Sequence, residues 1–283
     1  MIFLVGVSRV GKTTLAREIY DDYNNRGPNA IYFNCPPRQT NFFTYKPFLV
    51  SYLKALGDPF AESRVRERTT QDLSLKLITK RIKEQNVKLV IIDEADLFIS
   101  LESTRQTYAN LQFLKNLMNI TQVPHMFVGT GHLTKIIALD GQVINRSHVL
   151  HFKPYSAHNE KERKVFSQAL TAFLKETSLE LCEDLRKDAQ HIFDATNGCI
   201  GALKELLVRC EAVASEFEIS TVTKELIKQV NPVDPYNQRP QEIDEVRSFF
   251  ARSRAPDQRK ESSKGSRRPG KRKKPEDELG ARP

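Results

Sequence analysis

The amino terminus narrows the choice of fold more than any other part of the chain. A short apolar run, residues 1–5, feeds directly into Gly6-Val-Ser-Arg-Val-Gly11-Lys12-Thr13, and a helical pattern follows to about Asn24. A run of this kind, rich in branched side chains, reads as a parallel strand buried on both faces. A loop with glycine at both ends, closing on Lys and Thr at a helix start, suits the binding of phosphate. The glycines let backbone N–H groups approach closely, and the helix N-terminus adds partial positive charge. Lys12 is then placed to reach β- and γ-phosphates, and the Thr13 hydroxyl to ligate Mg²⁺. A chance match in a glycine turn would not carry a strand before it and a helix after it. ATP and Mg²⁺ are the expected ligands, held by Gly6, Ser8, Arg9, Val10, Gly11, Lys12, Thr13 and Thr14.

A second apolar run, residues 87–92, closes on Asp93-Glu94-Ala95-Asp96. An acid at the carboxyl end of a buried strand can hold Mg²⁺, which gives Asp93. The next carboxylate, Glu94, is placed to orient and polarise an attacking water. The letters Asp-Glu-Ala-Asp also spell a helicase signature, but the chain is too short for two RecA-like domains and no second set of helicase motifs follows. Thr130, after a strand expected at 125–128, would lie beside the γ-phosphate. Arg146 stands between that strand and the next. It reads either as a surface arginine or as a finger that completes a neighbouring subunit's site.

Strands are expected at 1–5, 30–34, 87–92, 125–128 and 149–152. Helices alternate with them, among them one from about Pro47 to Leu56, one over 69–85 with Leu73, Leu77, Ile78 and Ile82 on its apolar face, and others at 104–119 and 132–139. Beyond Pro154 the pattern is helical only, at 158–175, 183–195, 201–215 and 221–230. Alternation followed by helices predicts an α/β nucleotide-binding domain with a parallel five-stranded sheet (1–153) and a helical lid (154–230). A linker with a short helix (231–251) and a basic tail (252–283) complete the division.

That tail carries the charge. Residues 252–274 hold 11 Lys/Arg against two acids, which accounts for the whole formal net charge of +9. So biased a segment, nearly free of apolar side chains, cannot repay its ordering entropy and is expected to be disordered. It suits a salt-sensitive contact with phosphate backbone or an acidic partner, or simply a solvated tail. The rest of the chain is neutral and must meet any nucleic acid through a local patch. The cysteines, Cys35, Cys182, Cys199 and Cys210, have no metal-ligand spacing and read as reduced thiols of a cytoplasmic protein. No apolar run approaches the roughly 20 residues that span a bilayer, so no membrane association is expected.

Taken in order, these segments resemble an AAA+ ATPase, and more narrowly the TniB/TnsC transposition ATPases. The resemblance rests on Gly-Val-Ser-Arg-Val-Gly-Lys-Thr-Thr14, Leu-Gly-Asp-Pro59, Leu-Val-Ile-Ile-Asp-Glu-Ala-Asp96, Phe-Val-Gly-Thr130, Asp-Gly-Gln-Val-Ile-Asn-Arg146 and Ala-Thr-Asn-Gly-Cys-Ile-Gly-Ala-Leu203, and covers about residues 1–230. It implies ATP-dependent homo-oligomers, rings or helical filaments, on double-stranded DNA, linking a target-selection protein or RNA-guided complex to a transposase. It makes Asp93 and Glu94 the Walker B pair, Thr130 the sensor and Arg146 the finger. It also places DNA contacts in a segment that offers Arg38, Lys46, Lys54, Arg64 and Arg66. The sequence departs from the family in two ways. It opens within the first strand, where relatives carry preceding helices. In the lid, Gly201 or Ala202 stands where AAA+ relatives often have an arginine, with Lys204 nearby. The residues alone also admit a helicase-loader or replication-initiator ATPase, and a signalling NTPase that acts without DNA.

Overall fold

Alternation along the strands dictates the layers. Phe3, Val5, Ile31, Phe33, Val90, Ile92 and Phe127 share one core, and Leu4, Ala30, Leu89, Ile91, Met126 and Val128 share another. Successive positions along each strand thus face opposite sides of one sheet, and each side must be covered by helices. The computed structural model describes residues 1–27, 30–37, 44–65, 71–98, 104–187 and 189–230. The expected linker, its helix, the basic tail, Arg38 and Arg66 lie outside the described residues.

The chain runs through β1 (Ile2–Val5), α1 (Lys12–Asn25), β2 (Ala30–Asn34), α2 (Tyr45–Ala55), α3 (Ala61–Arg64), α4 (Gln71–Glu84) and β3 (Leu89–Asp93). A 3-10 turn at Ala95–Phe98 precedes α5 (Thr104–Thr121), β4 (His125–Gly129), α6 (Leu133–Ala138), α7 (Gly141–Asn145) and β5 (His148–His151). The five strands are parallel in the order β2-β3-β4-β1-β5. Helix α1 covers one face through Leu15, Ala16 and Ile19. On the other face α2 to α7 bury Phe48, Tyr52, Ile78, Leu111, Leu117 and Ile137. Every side chain of β3 and β4 is buried, whereas β5, at the edge, alternates between exposed and half-buried.

Beyond β5 come α8 (Glu160–Glu176), β6 (Glu180–Leu181), α9 (Glu183–Lys187), α10 (Gln190–Thr196), α11 (Ile200–Glu216), β7 (Thr221–Val222) and α12 (Lys224–Val230). Phe166, Leu170, Leu185, Leu203, Leu207 and Ile227 build a separate core here. Asn159 starts α8 by accepting from the N–H groups of Lys161 and Glu162, and Glu162 reaches back to the Ser156 N–H.

Several local expectations are corrected. The carboxyl-terminal part is not helical throughout, because β6 and β7 form a two-stranded parallel sheet. Residues 183–196 form two helices instead of one. Helix α2 begins at Tyr45, so Pro47 sits inside the first turn, where its missing N–H has no intrahelical partner to lose. On α4 the buried face is Ser74, Leu75, Ile78 and Ile82, while Leu73 is 60% exposed. The reduced-thiol expectation, by contrast, agrees with the structure: no disulfide joins the four cysteines, of which Cys35, Cys199 and Cys210 are buried and Cys182 half-buried. Among the described residues no helix is long and apolar enough to cross a membrane.

Candidate nucleotide site

The phosphate loop leaves the carboxyl end of β1, between β4 and β5. The Gly6 N–H donates to the Gly129 carbonyl of β4 at 3.3 Å, and the Phe152 N–H, just after β5, donates to Val5 at 2.8 Å. A Cβ on Gly6 would lie 2.3 Å from the Phe152 carbonyl oxygen. The first glycine is therefore needed for packing against the chain just after β5, whatever the loop binds. Gly11 caps α1 at φ 113°, a left-handed conformation that favours glycine. No side chain caps this helix, and its first turn holds no acid. Its N–H groups and positive end thus suit a phosphate. The Lys12 ammonium donates to the Val7 carbonyl at 2.8 Å, which folds it back over the loop. Ser8, Arg9, Thr13 and Thr14 are exposed, and Val10 is buried beneath them.

Beside the loop lies a cavity of about 540 Å³ lined by Val10, Leu15, Phe152, Tyr155, Phe173 and Ile200, among others. Its apolar walls against a polar loop fit a nucleoside base beside its phosphates. A second hollow, about 590 Å³ and lined by α8, β6 and α9, shares no residue with the loop or with the carboxylates below.

Asp93 ends β3 at the same edge of the sheet and is 4% exposed. Its Oδ1 accepts from the Glu94 N–H at 2.8 Å and its Oδ2 from the Tyr32 hydroxyl at 2.8 Å. Burial first, and then the Asp93 carboxylate, push the Tyr32 phenol up to about 12, so it stays a donor near neutrality. The Arg17 guanidinium lies 5.8 Å from the Tyr32 ring centroid and adds a cation–π contact. Glu94 is exposed and held at φ 55°. An acidic residue in a left-handed conformation costs about 1 kcal/mol or more, and such backbone is concentrated at functional sites. Here it turns one carboxylate toward solvent while its neighbour stays buried.

Thr130 follows β4. Its N–H and hydroxyl donate to the two oxygens of Asp96, at 2.7 and 2.9 Å. The close approach of Asp96 requires Gly129, where a Cβ would lie 2.7 Å from the Asp96 carboxylate. Tyr32 and Asp96 are positioning groups that the motif reading did not assign. Asp96 was visible as the last letter of Asp-Glu-Ala-Asp, whereas Tyr32 carried no local signal.

Arg146 lies at the opposite edge. It is exposed at the end of α7, and its carbonyl accepts from the Met1 ammonium at 3.1 Å. Five residue steps of extended chain lead from Met1 to Gly6, roughly 16 Å at about 3.3 Å per step. Arg146 therefore does not serve its own chain's phosphate loop.

Three of the five candidate DNA contacts fall on described residues. Lys46 is exposed on α2. Lys54 pairs with Glu62 at 2.6 Å, and Arg64 pairs at 3.1 Å with Asp58, whose side chain is buried. Arg81 approaches the same carboxylate at 3.6 Å, so Arg64 is tied to the fold of the turn between α2 and α3. No group of three or more His, Cys, Asp or Glu side chains that could hold a metal ion occurs among the described residues.

Residues 1–137 match the family described as AAA domain. A comparison with curated protein sequences gave no match. The ORC2 protein of Aeropyrum pernix, solved in ADPNP–ADP complexes, is similar in fold at a TM-score of 0.54 and 15% identity, over 83% of this chain and 62% of that one. A Walker-type ATPase of Pyrococcus abyssi matches at a TM-score of 0.57 and 15% identity, over 89% of this chain and 71% of that one. The chain thus spans about three fifths of the ORC2 length, and the likeness at this identity is one of fold. The matching residues, 1–137, are just under half of the chain and hold the glycine loop and the first four strands, and the α/β fold with its five-stranded parallel sheet is similar to that of these two proteins.

Proposed function

We propose that this protein is a Mg²⁺-dependent, oligomeric ATPase that assembles on duplex DNA and regulates DNA transposition, linking a target selector to a transposase. One observation carries the oligomeric ATPase reading. The phosphate loop, Asp93, Glu94 and Thr130 gather at the carboxyl edge of the sheet, while Arg146 is exposed at the amino edge. Such a site gains its arginine only when a second copy docks with its amino edge against the first copy's loop.

In this reading the loop N–H groups and Lys12 bind and orient the phosphates, and Thr13 and Asp93 hold the metal. Mg²⁺ supplies charge neutralisation on the phosphate oxygens. Glu94 accepts a hydrogen bond from the attacking water and takes up its proton. Thr130, held by Asp96, fixes the position of the γ-phosphate group. Arg146 of one copy offsets charge on the nucleotide of the next. The transposition role rests on the segment pattern of the sequence, and the DNA contact on Lys46, Lys54, Arg64, their neighbours and the basic tail. The likeness to ORC2 favours a second reading, a replication initiator built on the same core.

The test is electron microscopy with ATP, with and without duplex DNA, on wild type, Glu94→Gln and Arg146→Ala. Glu94→Gln should form long-lived assemblies on DNA. Arg146→Ala should bind nucleotide but neither assemble nor hydrolyse well, and mixing the two variants should restore some hydrolysis. Assembly indifferent to ATP or to DNA would overturn the reading. Capture of a replicative helicase, with no transposase bound, would favour the initiator.

A further inference from the structure

The carboxyl-terminal helical unit touches the phosphate loop itself, and it does so at one loop residue. Arg9 sits at φ 61°, a left-handed backbone position that most side chains avoid. Its carbonyl accepts from the Gly201 N–H of α11 at 2.9 Å, and its guanidinium pairs with Glu205 one turn further along the same helix. Glu205 is in turn paired with Arg209, which steadies the carboxylate that Arg9 meets. A Cβ on Gly201 would lie 2.6 Å from the Arg9 carbonyl oxygen, so that close approach needs a residue without a side chain. Beneath the polar contacts, Val7 and Val10 of the loop bury against Cys199 and Ala202 of the helix. Val10, Gly11, Ile200, Gly201 and Lys204 all line the cavity assigned above to the base.

We infer that Arg9 is a positioning residue that latches α11 onto the phosphate loop, so that the loop's conformation sets how the helical unit covers the nucleotide. The inference rests on the site being a nucleotide site. It differs from a contact in which a side chain of α11 reads the terminal phosphate. The latch holds the wall of the base cavity, so it acts on any nucleotide that fills the cavity, whatever the number of its phosphates. A strained arginine at a backbone position that favours glycine is then explained by what its side chain reaches. Loop movement on phosphate binding is carried to α11 through two bonds and an apolar seam.

The contact is first read without nucleotide, by amide hydrogen exchange over residues 199–203 in wild type, Arg9→Gln, Glu205→Gln and the double variant. Each single change should speed exchange of the Gly201 amide, and the double should be no faster than the faster single. ATP and ADP affinities of the same proteins should fall alike, about two- to fivefold for each single change, as for a partly exposed ion pair, and again without adding in the double. Gly201→Ala keeps every charge but forces the helix off the carbonyl. It should weaken both nucleotides more, by about tenfold. Unchanged exchange, additive losses, or a loss confined to ATP would each overturn the latch. Wild type that binds neither nucleotide, with the exchange pattern as expected, would remove the proposed function and leave the contact standing.

Discussion

His125 opens β4, the strand that delivers Gly129 and Thr130 to the site, and it is fully buried. Its Nδ1 donates to the Val123 carbonyl at 2.7 Å, and in the neutral ring that burial favours its Nε2 accepts from the Tyr52 hydroxyl at 2.9 Å. Burial lowers its pKa from 6.5 to about 4, only partly opposed by the Val123 hydrogen bond. In the unfolded chain the ring takes up a proton near pH 6.5, while in the folded chain it does so near pH 4. Between these values the unfolded state binds more protons, so stability is intact above pH 6.5 and falls as pH drops toward 4. At 1.36 kcal/mol per pH unit the full loss is about 3 kcal/mol. That is a large share of the 5–15 kcal/mol typical of a domain. The measurement is urea unfolding of wild type and His125→Gln at several pH values between 4 and 7.5. The glutamine variant should be less stable near neutrality. Its stability should also fall less steeply on acidification, because it has no imidazole for the unfolded chain to protonate, and only the carboxylate contributions common to both proteins remain. Parallel pH profiles for the two proteins would refute the argument.

Two further perturbations test the groups that the fold brings to the site. Tyr32→Phe keeps the ring beside Arg17 but removes a donor to a buried carboxylate, worth about 1–2 kcal/mol at this half-buried position. It should slow ATP hydrolysis about 5- to 30-fold with little change in nucleotide affinity, and an unchanged rate would mean that Asp93 is held without it. Asp96→Ala leaves the Thr130 N–H and hydroxyl without their acceptor, and should lower both Tm and the hydrolysis rate. Asp96→Asn should recover most of both, since the amide can accept from the N–H and donate to the hydroxyl; equal damage from the two variants would count against this account.

The sequence by itself determined what depends on neighbours along the chain. The spacing of Gly6, Gly11, Lys12 and Thr13, the apolar runs that became β1, β3 and β4, and the acids that follow β3 are all local patterns. Strand burial and phosphate-loop geometry follow from backbone conformation and side-chain alternation over a few residues. Leu73 shows where such reasoning stops. Helical spacing placed it on the buried face, but α4 is rotated so that Leu75, Ile78 and Ile82 enter the core it shares with α2 and α5. The two-residue strands β6 and β7 were too short to leave any alternation to read.

Only the tertiary structure decided the partners. Tyr32 meets Asp93 across 61 residues because β2 and β3 pair in parallel register, and Thr130 meets Asp96 across 34 because β3 and β4 end side by side. Arg9 meets Glu205, and Gly201 meets the Arg9 backbone, because the helical core packs its α11 end onto the loop through Val7, Val10, Cys199 and Ala202. Hydrogen bonds and ion pairs act over a few ångströms, so which side chains can make them depends on strand order and helix docking. Those are set by summed apolar burial over the whole chain, and no stretch of residues encodes them alone.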